Sequence, residues 1–449
     1  LRLKYIILIA VILLCICGVL LFALWNPYPS RFKDPQKKAV YIRYENGRYA
    51  LYRFGKPFTV KGAAGNTHLP ELQAAGGNTI RTWDETNLDS VLADAERNQI
   101  AVIVGLFMPY NDNMDAFYNN DAKVDSLFKR YQNVIRKYRN SKAILCWCLG
   151  NELAYPVKPQ YFKFYGVFNR FIDMIHSEDP DHPVTTTLIN FEDRYLLNIK
   201  LWTHIDFVSF NIFGAIRHLS QDLDNFHTWW RGPFLITEWG IDGPWPGHEQ
   251  TAWNAYIEQT SEKKAEQYRE LYERYMPQKE AGFLGSMVFY WGYKQETTPT
   301  WFSLFDKDGN RSASVDVLQQ LWTGRPAPHR APKVKYMLVD GKGAKDNLLY
   351  NPGTVINAQV YMQDSSSNLS YRWFLQPEDW FRVQHFYNQK EKRSLDEFTI
   401  SATADRFVFR APTTEGPYRV YVYIYNDKGY FATCNTPFYV VSPNTPPLK

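Results

Sequence analysis

An apolar run over residues 143–149 leads into Gly150-Asn151-Glu152, and a second, over 233–237, stops at Glu238, which Trp239 and Gly240 follow. Two buried-looking runs that each end in a carboxylate supply the groups for cleaving a glycosidic bond. One carboxyl group donates a proton to the leaving oxygen while the other attacks carbon or activates water. Either glutamate alone is as compatible with a helix cap or a surface ion pair as with catalysis. The pair, with Asn before one and Trp-Gly after the other, is what points to chemistry.

Something must bring these residues together. Strand-like runs occupy 58–62, 78–83, 100–106, 143–149, 183–189, 205–210, 233–237 and 283–290. Helical candidates lie between them at 87–98, 124–138, 161–177, 219–230 and 262–275, and a last one at 314–322. In 124–138 the apolar positions Val124, Leu127, Phe128, Tyr131, Val134, Ile135 and Tyr138 recur at helical spacing. This alternation predicts an α/β fold, a (β/α)8 TIM barrel, whose active site sits at the C-terminal ends of its strands. Those ends carry Arg81 and Trp83, then Asn151 and Glu152, Asn211, Glu238 and Trp239, and, after the last strand, Trp291. A doubly wound open sheet is the alternative, but no glycine-rich phosphate fingerprint follows the first strand.

Ahead of the barrel, Glu45-Asn46-Gly47-Arg48 between β-rich runs signals a hairpin. Behind it, residues 326–334 form a proline-rich linker, after which the helical period disappears. Runs at 355–362, 370–374, 399–402, 407–410, 418–425 and 437–441 predict a C-terminal all-β immunoglobulin-like sandwich over 335–449. The domain plan is an N-terminal transmembrane signal anchor over 1–26, a stalk over 27–39, the barrel with its hairpin over 40–325, the linker, and the sandwich.

Leu149-Gly150-Asn151-Glu152 and Ile236-Thr237-Glu238-Trp239-Gly240 resemble the motifs of the retaining glycoside hydrolases of clan A, and within it the TIM-barrel domain of family two. The resemblance extends to Gly55-Lys56-Pro57-Phe58-Thr59-Val60-Lys61-Gly62 and Gly77-Asn78-Thr79-Ile80-Arg81-Thr82-Trp83. It implies that Glu152 is the general acid/base and Glu238 the nucleophile, with Arg81 the positive charge beside it. It further implies that Asn151 bonds the sugar 2-hydroxyl and Trp291 floors the cleaved sugar. Trp83 and Trp239 are either sugar platforms or core. Asp84 reads as the cap of the helix near Asn87. The chain departs from the clan pattern at Phe213, where many members have a tyrosine that bonds the nucleophile; Tyr290 and Tyr293 are the alternative donors. The N-terminal sandwich domains of full-length family-two enzymes have no counterpart here.

The aromatic content, 16 %, suits barrel packing and also the stacking of sugar rings. A net charge of only +5, with no basic stripe, argues against nucleic acid as a partner. The five cysteines form no disulfide framework; Cys146 and Cys148 read as buried thiols. No cofactor or metal is implied. Residues 5–25 are almost wholly apolar, about the length of a membrane helix, which predicts a single-pass membrane partner with the barrel on the exported side. The expected activity is a retaining β-glycosidase or transglycosidase with a carbohydrate substrate. The alternative is a non-catalytic, membrane-anchored glycan-binding scaffold on a decayed barrel.

Overall fold

In this computed structural model, residues 2–24, 31–33, 38–110, 114–226, 230–363, 368–378 and 392–441 are described. Residues 27–30 and 34–37 of the expected stalk lie outside them. Strands β1 (Val40–Glu45), β2 (Arg48–Arg53) and β3 (Lys56–Pro57) make a small antiparallel sheet. Its first turn holds Asn46 and Gly47 at φ 51° and 78°, the left-handed pair that a tight hairpin demands.

The eight predicted barrel strands all form. They are β4 (Val60–Ala64), β5 (Thr79–Arg81), β6 (Ala101–Leu106), β7 (Ile144–Asn151), β8 (Val184–Ile189), β9 (Phe207–Asn211), β10 (Phe234–Trp239) and β11 (Phe283–Val288). They pair in parallel in sequence order, and β11 against β4 closes the ring. Their side chains are nearly all buried, as expected of strands covered on both faces. The predicted helices appear as Leu88–Arg97, Asp121–Tyr138, Phe162–Glu178, Ile216–Phe226, Ser261–Glu270 and Ala313–Thr323. The Ser261–Glu270 helix stops short of the predicted end because residues Leu271–Tyr275 widen into a π-helical turn. The helix Asp193–Trp202 was not anticipated.

The β1–β3 sheet closes the N-terminal end of the barrel. Val40 N donates to Asp181 O (3.0 Å), Tyr49 N to Ala281 O (2.8 Å) and Tyr49 Oη to Arg231 O (2.8 Å). Each acceptor lies just ahead of a barrel strand. Within the expected stalk, Arg31 pairs with Asp206 and Phe32 is buried with its ring edge-on to Tyr49, so this stretch packs onto the barrel.

Residues Arg2–Leu24 form a helix. Among the described residues no helix is long and apolar enough to cross a membrane. The spanning anchor expected over 1–26 finds no support among the described residues.

Among its described residues the C-terminal region contains eight strands: β12 (Val334–Val339), β13 (Leu349–Tyr350), β14 (Val355–Met362), β15 (Ser370–Pro377), β16 (Thr399–Ala402), β17 (Arg406–Arg410), β18 (Gly416–Tyr425) and β19 (Phe431–Val440). They build two four-stranded sheets, ordered β12-β14-β17-β16 and β13-β19-β18-β15. Strands β12 and β13 escaped the sequence reading, the first because it starts inside the proline-rich linker, the second because it is two residues long. The alternation Val420, Val422, Ile424 against Tyr421, Tyr423, Tyr425 splits β18 between two faces. The aliphatic set joins Val334, Ile356, Phe407, Phe409 and Phe438 in the core.

By internal packing the chain divides into two units. One is residues 1–64, 78–239 and 275–288, with all eight barrel strands; the other is 65–77, 240–274 and 289–449. In the second unit Arg419 is fully buried. It donates to Glu378, to Asn435 Oδ1 (2.6 Å) and to Tyr256 O (2.6 Å), and Asn435 Nδ2 in turn donates to Glu258 (2.7 Å), which pairs with buried Lys264.

Candidate active site

Arg81 is the last residue of β5 and Asn211 the last of β9. In the ring order these strands are four places apart out of eight, on opposite walls. The Arg81 side chain therefore crosses the barrel lumen. It is fully buried, where a charge is costly unless paired, and its two terminal nitrogens are both taken up. Nη1 donates to Asn211 Oδ1 (2.9 Å) and Glu238 Oε1 (3.2 Å), and Nη2 to Asn151 Oδ1 (2.8 Å).

Asn211 sits beside Glu238 in the β9–β10 pairing. Its Nδ2 donates to Glu152 Oε1 (2.9 Å) and Asn151 Oδ1 (3.2 Å), while its Oδ1 also accepts from Thr237 Oγ1 (3.0 Å). One amide thus touches the acid/base candidate and shares the arginine with the nucleophile candidate. Beneath it lies a layer of buried hydroxyls, in which Thr185 and Ser209 bond at 2.8 Å and Thr187 and Thr237 at 3.4 Å. Of these, Thr237 bonds the amide directly and fixes its orientation.

Glu238 is 5 % exposed and receives two donors on Oε1, Arg81 and the indole Nε1 of Trp83 (2.8 Å). The indole is the donor to this carboxylate that the Phe213 departure left unassigned. Trp83 reaches it because its backbone lies against Gly105 of β6. A Cβ at Gly105 would come within 2.4 Å of Trp83 C, and Gly105 N donates to Thr82 Oγ1 (3.1 Å).

Glu152 follows β7 through a sharp turn. Gly150 has φ 80° and Glu152 itself φ 56°, left-handed backbone that a residue with a Cβ adopts only at a cost. The turn is held by Glu152 N donating to Thr187 O (2.9 Å). It leaves the Glu152 side chain part-exposed while Glu238 is enclosed. Cys146 and Cys148 lie in β7; burial pushes both thiols up, so they are neutral filling.

Of the residues singled out in the sequence, Arg81, Trp83, Asn151, Glu152, Asn211 and Glu238 form this one hydrogen-bonded cluster. Trp239 is fully buried at the end of β10 and presents no ring face to a ligand. Trp291 belongs to the other unit, also fully buried, donating to His68 O (3.1 Å) and packing edge-on to Phe305 at 5.1 Å. Asp84 accepts from Thr86 N (2.8 Å), a local turn, and Asn87 is the cap residue instead. Thr237 and Gly105 were missed. Thr237 stands next to the glutamate in the motif, which is the signal that could have found it; Gly105 looks like any strand glycine.

No protein-family model and no curated protein match the chain. Solved structures do. A β-glucuronidase of Faecalibacterium prausnitzii matches at TM-score 0.50 with 20 % identity, over 64 % of this chain and 52 % of that one. The β-D-glucuronidase of Dictyoglomus thermophilum matches at 0.49 and 17 %, over 64 % and 54 %. An endo-β-1,4-mannanase from Thermotoga petrophila matches at 0.41 and 14 %, over 87 % and 99 %. The chain therefore spans about half the length of the two glucuronidases. At such identities the likeness is one of fold: this chain has the barrel architecture of glycoside hydrolases.

Proposed function

We propose that the chain is a retaining β-glycosidase or transglycosidase acting on a β-linked glycan. The observation that carries this reading is the cluster in which Asn211 bonds Glu152 and, through Arg81, joins it to Glu238 at the C-terminal ends of β5, β7, β9 and β10. Glu238 is the nucleophile. Its oxygen forms a bond to the anomeric carbon as the bond to the leaving oxygen breaks, and Glu152 passes its proton to that oxygen. Water, or the hydroxyl of a second sugar, then gives its proton to Glu152 and attacks the same carbon, breaking the glycosyl ester. Arg81 and Trp83 hold Glu238 in line, two donors suited to an anion. Part-exposed Glu152 suits a group that exchanges protons with leaving group and water. Asn151, held by Arg81, is the residue for the sugar 2-hydroxyl. With a glycan substrate, the working side is the exported side of the cell.

Treatment with a 2-deoxy-2-fluoro β-glycoside bearing a good leaving group tests the reading. The expected result is a mass increase of one fluorosugar on the peptide containing Glu238, absent in Glu238→Gln. Turnover of nitrophenyl β-glycosides should be lost in Glu238→Gln. In Glu152→Ala it should fall by about 10²–10⁴ for substrates with poor leaving groups and less for activated ones. Equal rates in the wild type and both variants would remove the assignment, and no turnover in any of them would leave the scaffold reading.

A further inference from the structure

The second unit contains a cavity of about 480 Å³ that the proposed chemistry does not use. Part of its lining comes from the face of the β15–β18 pair opposite the sandwich core, of which Phe374 and Tyr425 are part-exposed and Tyr421 and Tyr423 buried. Because side chains alternate along a strand, Arg372, Phe374 and Gln376 of β15 share that face with Tyr421, Tyr423 and Tyr425 of β18. Phe374 stacks on Tyr421 with ring centroids 4.8 Å apart and planes within 6°, and lies 5.3 Å from Tyr423. Tyr293, Pro299, Asp306, Lys307 and Asp308, from the loop after β11, also line it.

The charges around the cavity are unequal. Arg372, Lys307, Lys392 and Arg393 line it, against Asp306 and Asp308. Asp306 is committed to its own turn, accepting from Asp308 N (3.0 Å), Asn310 N (2.8 Å) and Asn310 Nδ2 (2.8 Å), and it also takes the Tyr425 hydroxyl. Arg393 pairs with Glu397. Arg372 makes no ion pair among the described residues; its guanidinium lies 5.9 Å from the Phe374 ring centroid. Lys307 lies 5.2 Å from the Tyr293 ring centroid.

We infer that this cavity is a second glycan-binding site, specific for a sugar residue carrying a carboxylate. The part-exposed rings of Phe374, Tyr425 and Tyr293 line the cavity; aromatic faces accept the apolar C–H face of a pyranose ring, and a guanidinium beside them recognises a carboxylate through two parallel hydrogen bonds. The volume falls within the range of small-molecule sites and exceeds what an inorganic anion needs. The site rests on the proposed glycosidase reading only for the expectation that the ligand is a glycan, and its occupancy is read without turnover.

Titration calorimetry on the full chain tests it, in a Glu238→Gln background that prevents turnover. The probes are cellohexaose and its C6-oxidised counterpart, a β-1,4-linked glucuronate hexamer. The expected result is tighter binding of the acidic hexamer by about tenfold, the scale of one charged hydrogen-bonded contact, and loss of that difference in Arg372→Gln. Lys307→Gln, an exposed loop substitution, should act in the same direction. Arg372→Gln with Glu238 intact should turn over nitrophenyl glycosides at the wild-type rate. Equal affinity for the two hexamers, no effect of Arg372→Gln, or displacement of the hexamer by inorganic sulfate at equal concentration overturns the proposal. Absent turnover with Arg372-dependent binding would count against the glycosidase and leave this site standing; turnover without such binding would do the reverse.

Discussion

The indole Nε1 of Trp83 donates to Glu238 Oε1 at 2.8 Å, from the strand end that also supplies Arg81 to the same oxygen. The nucleophile candidate is thus held from β5, across the lumen from its neighbour Asn211. Trp83→Phe keeps the ring and removes the donor. A hydrogen bond to a charged group contributes about 1.5–3 kcal/mol, so kcat should fall by about 10–100-fold while the melting temperature moves little. Steady-state kinetics with an activated aryl glycoside checks this; an unchanged kcat would show that the contact is passive.

Glu152 sits at φ 56°. Glycine adopts that backbone without the clash of a Cβ. Glu152→Gly and Glu152→Ala lose the same hydrogen bond from Asn211 and the same carboxyl group, so their difference isolates the backbone. The glycine variant should be the more stable by about 1 kcal/mol in urea denaturation, with both equally reduced in activity. An alanine variant of equal stability would mean that the turn relaxes.

Arg419 is fully buried among Glu378, Asn435 and the Tyr256 carbonyl. Arg419→Met leaves the Glu378 carboxylate enclosed without its cation. Breaking a buried pair from one side costs about 3–5 kcal/mol, and the denaturation midpoint should drop accordingly. Replacing Arg419 and Glu378 together by apolar residues should recover part of the loss.

Burial pushes the Asp316 carboxyl from 3.8 up to about 7, partly opposed by the Ala331 amide and by Arg311 and Arg330. Between those pH values the folded chain keeps a proton that the unfolded chain has released. Stability contributed by this group is therefore present at low pH and lost as pH rises towards 7. Denaturation midpoints measured from pH 5 to 8 should decline more steeply in the wild type than in Asp316→Asn, by about 2 kcal/mol over the range. Parallel profiles would contradict this.

The eight barrel strands were legible because strands covered on both faces read as continuous apolar runs, and each came within two residues at its start. The hairpin was legible in Asn46-Gly47, whose backbone preference is local. The glutamates were legible for the same reason: they interrupt apolar runs where a strand must end. The anchor over 1–26 rests on an apolar run alone, and the described residues lend it no support. The shortest sandwich strand, β13, depends on a partner 90 residues away in the pairing of Leu349 with Tyr439, which no local pattern reveals.

The sequence by itself determined the alternation of strands and helices, the two carboxylates and the arginine, since these follow from local periodicity and residue type. Only the tertiary structure decided which residues touch. It put Arg81 across the lumen to join Asn151, Asn211 and Glu238, brought the Trp83 indole to Glu238 where Phe213 carries no hydroxyl, and enclosed Trp239 and Trp291 in packing. Such contacts depend on ring closure, which sets residues from opposite walls within hydrogen-bond reach, and ring closure is a property of all eight strands together.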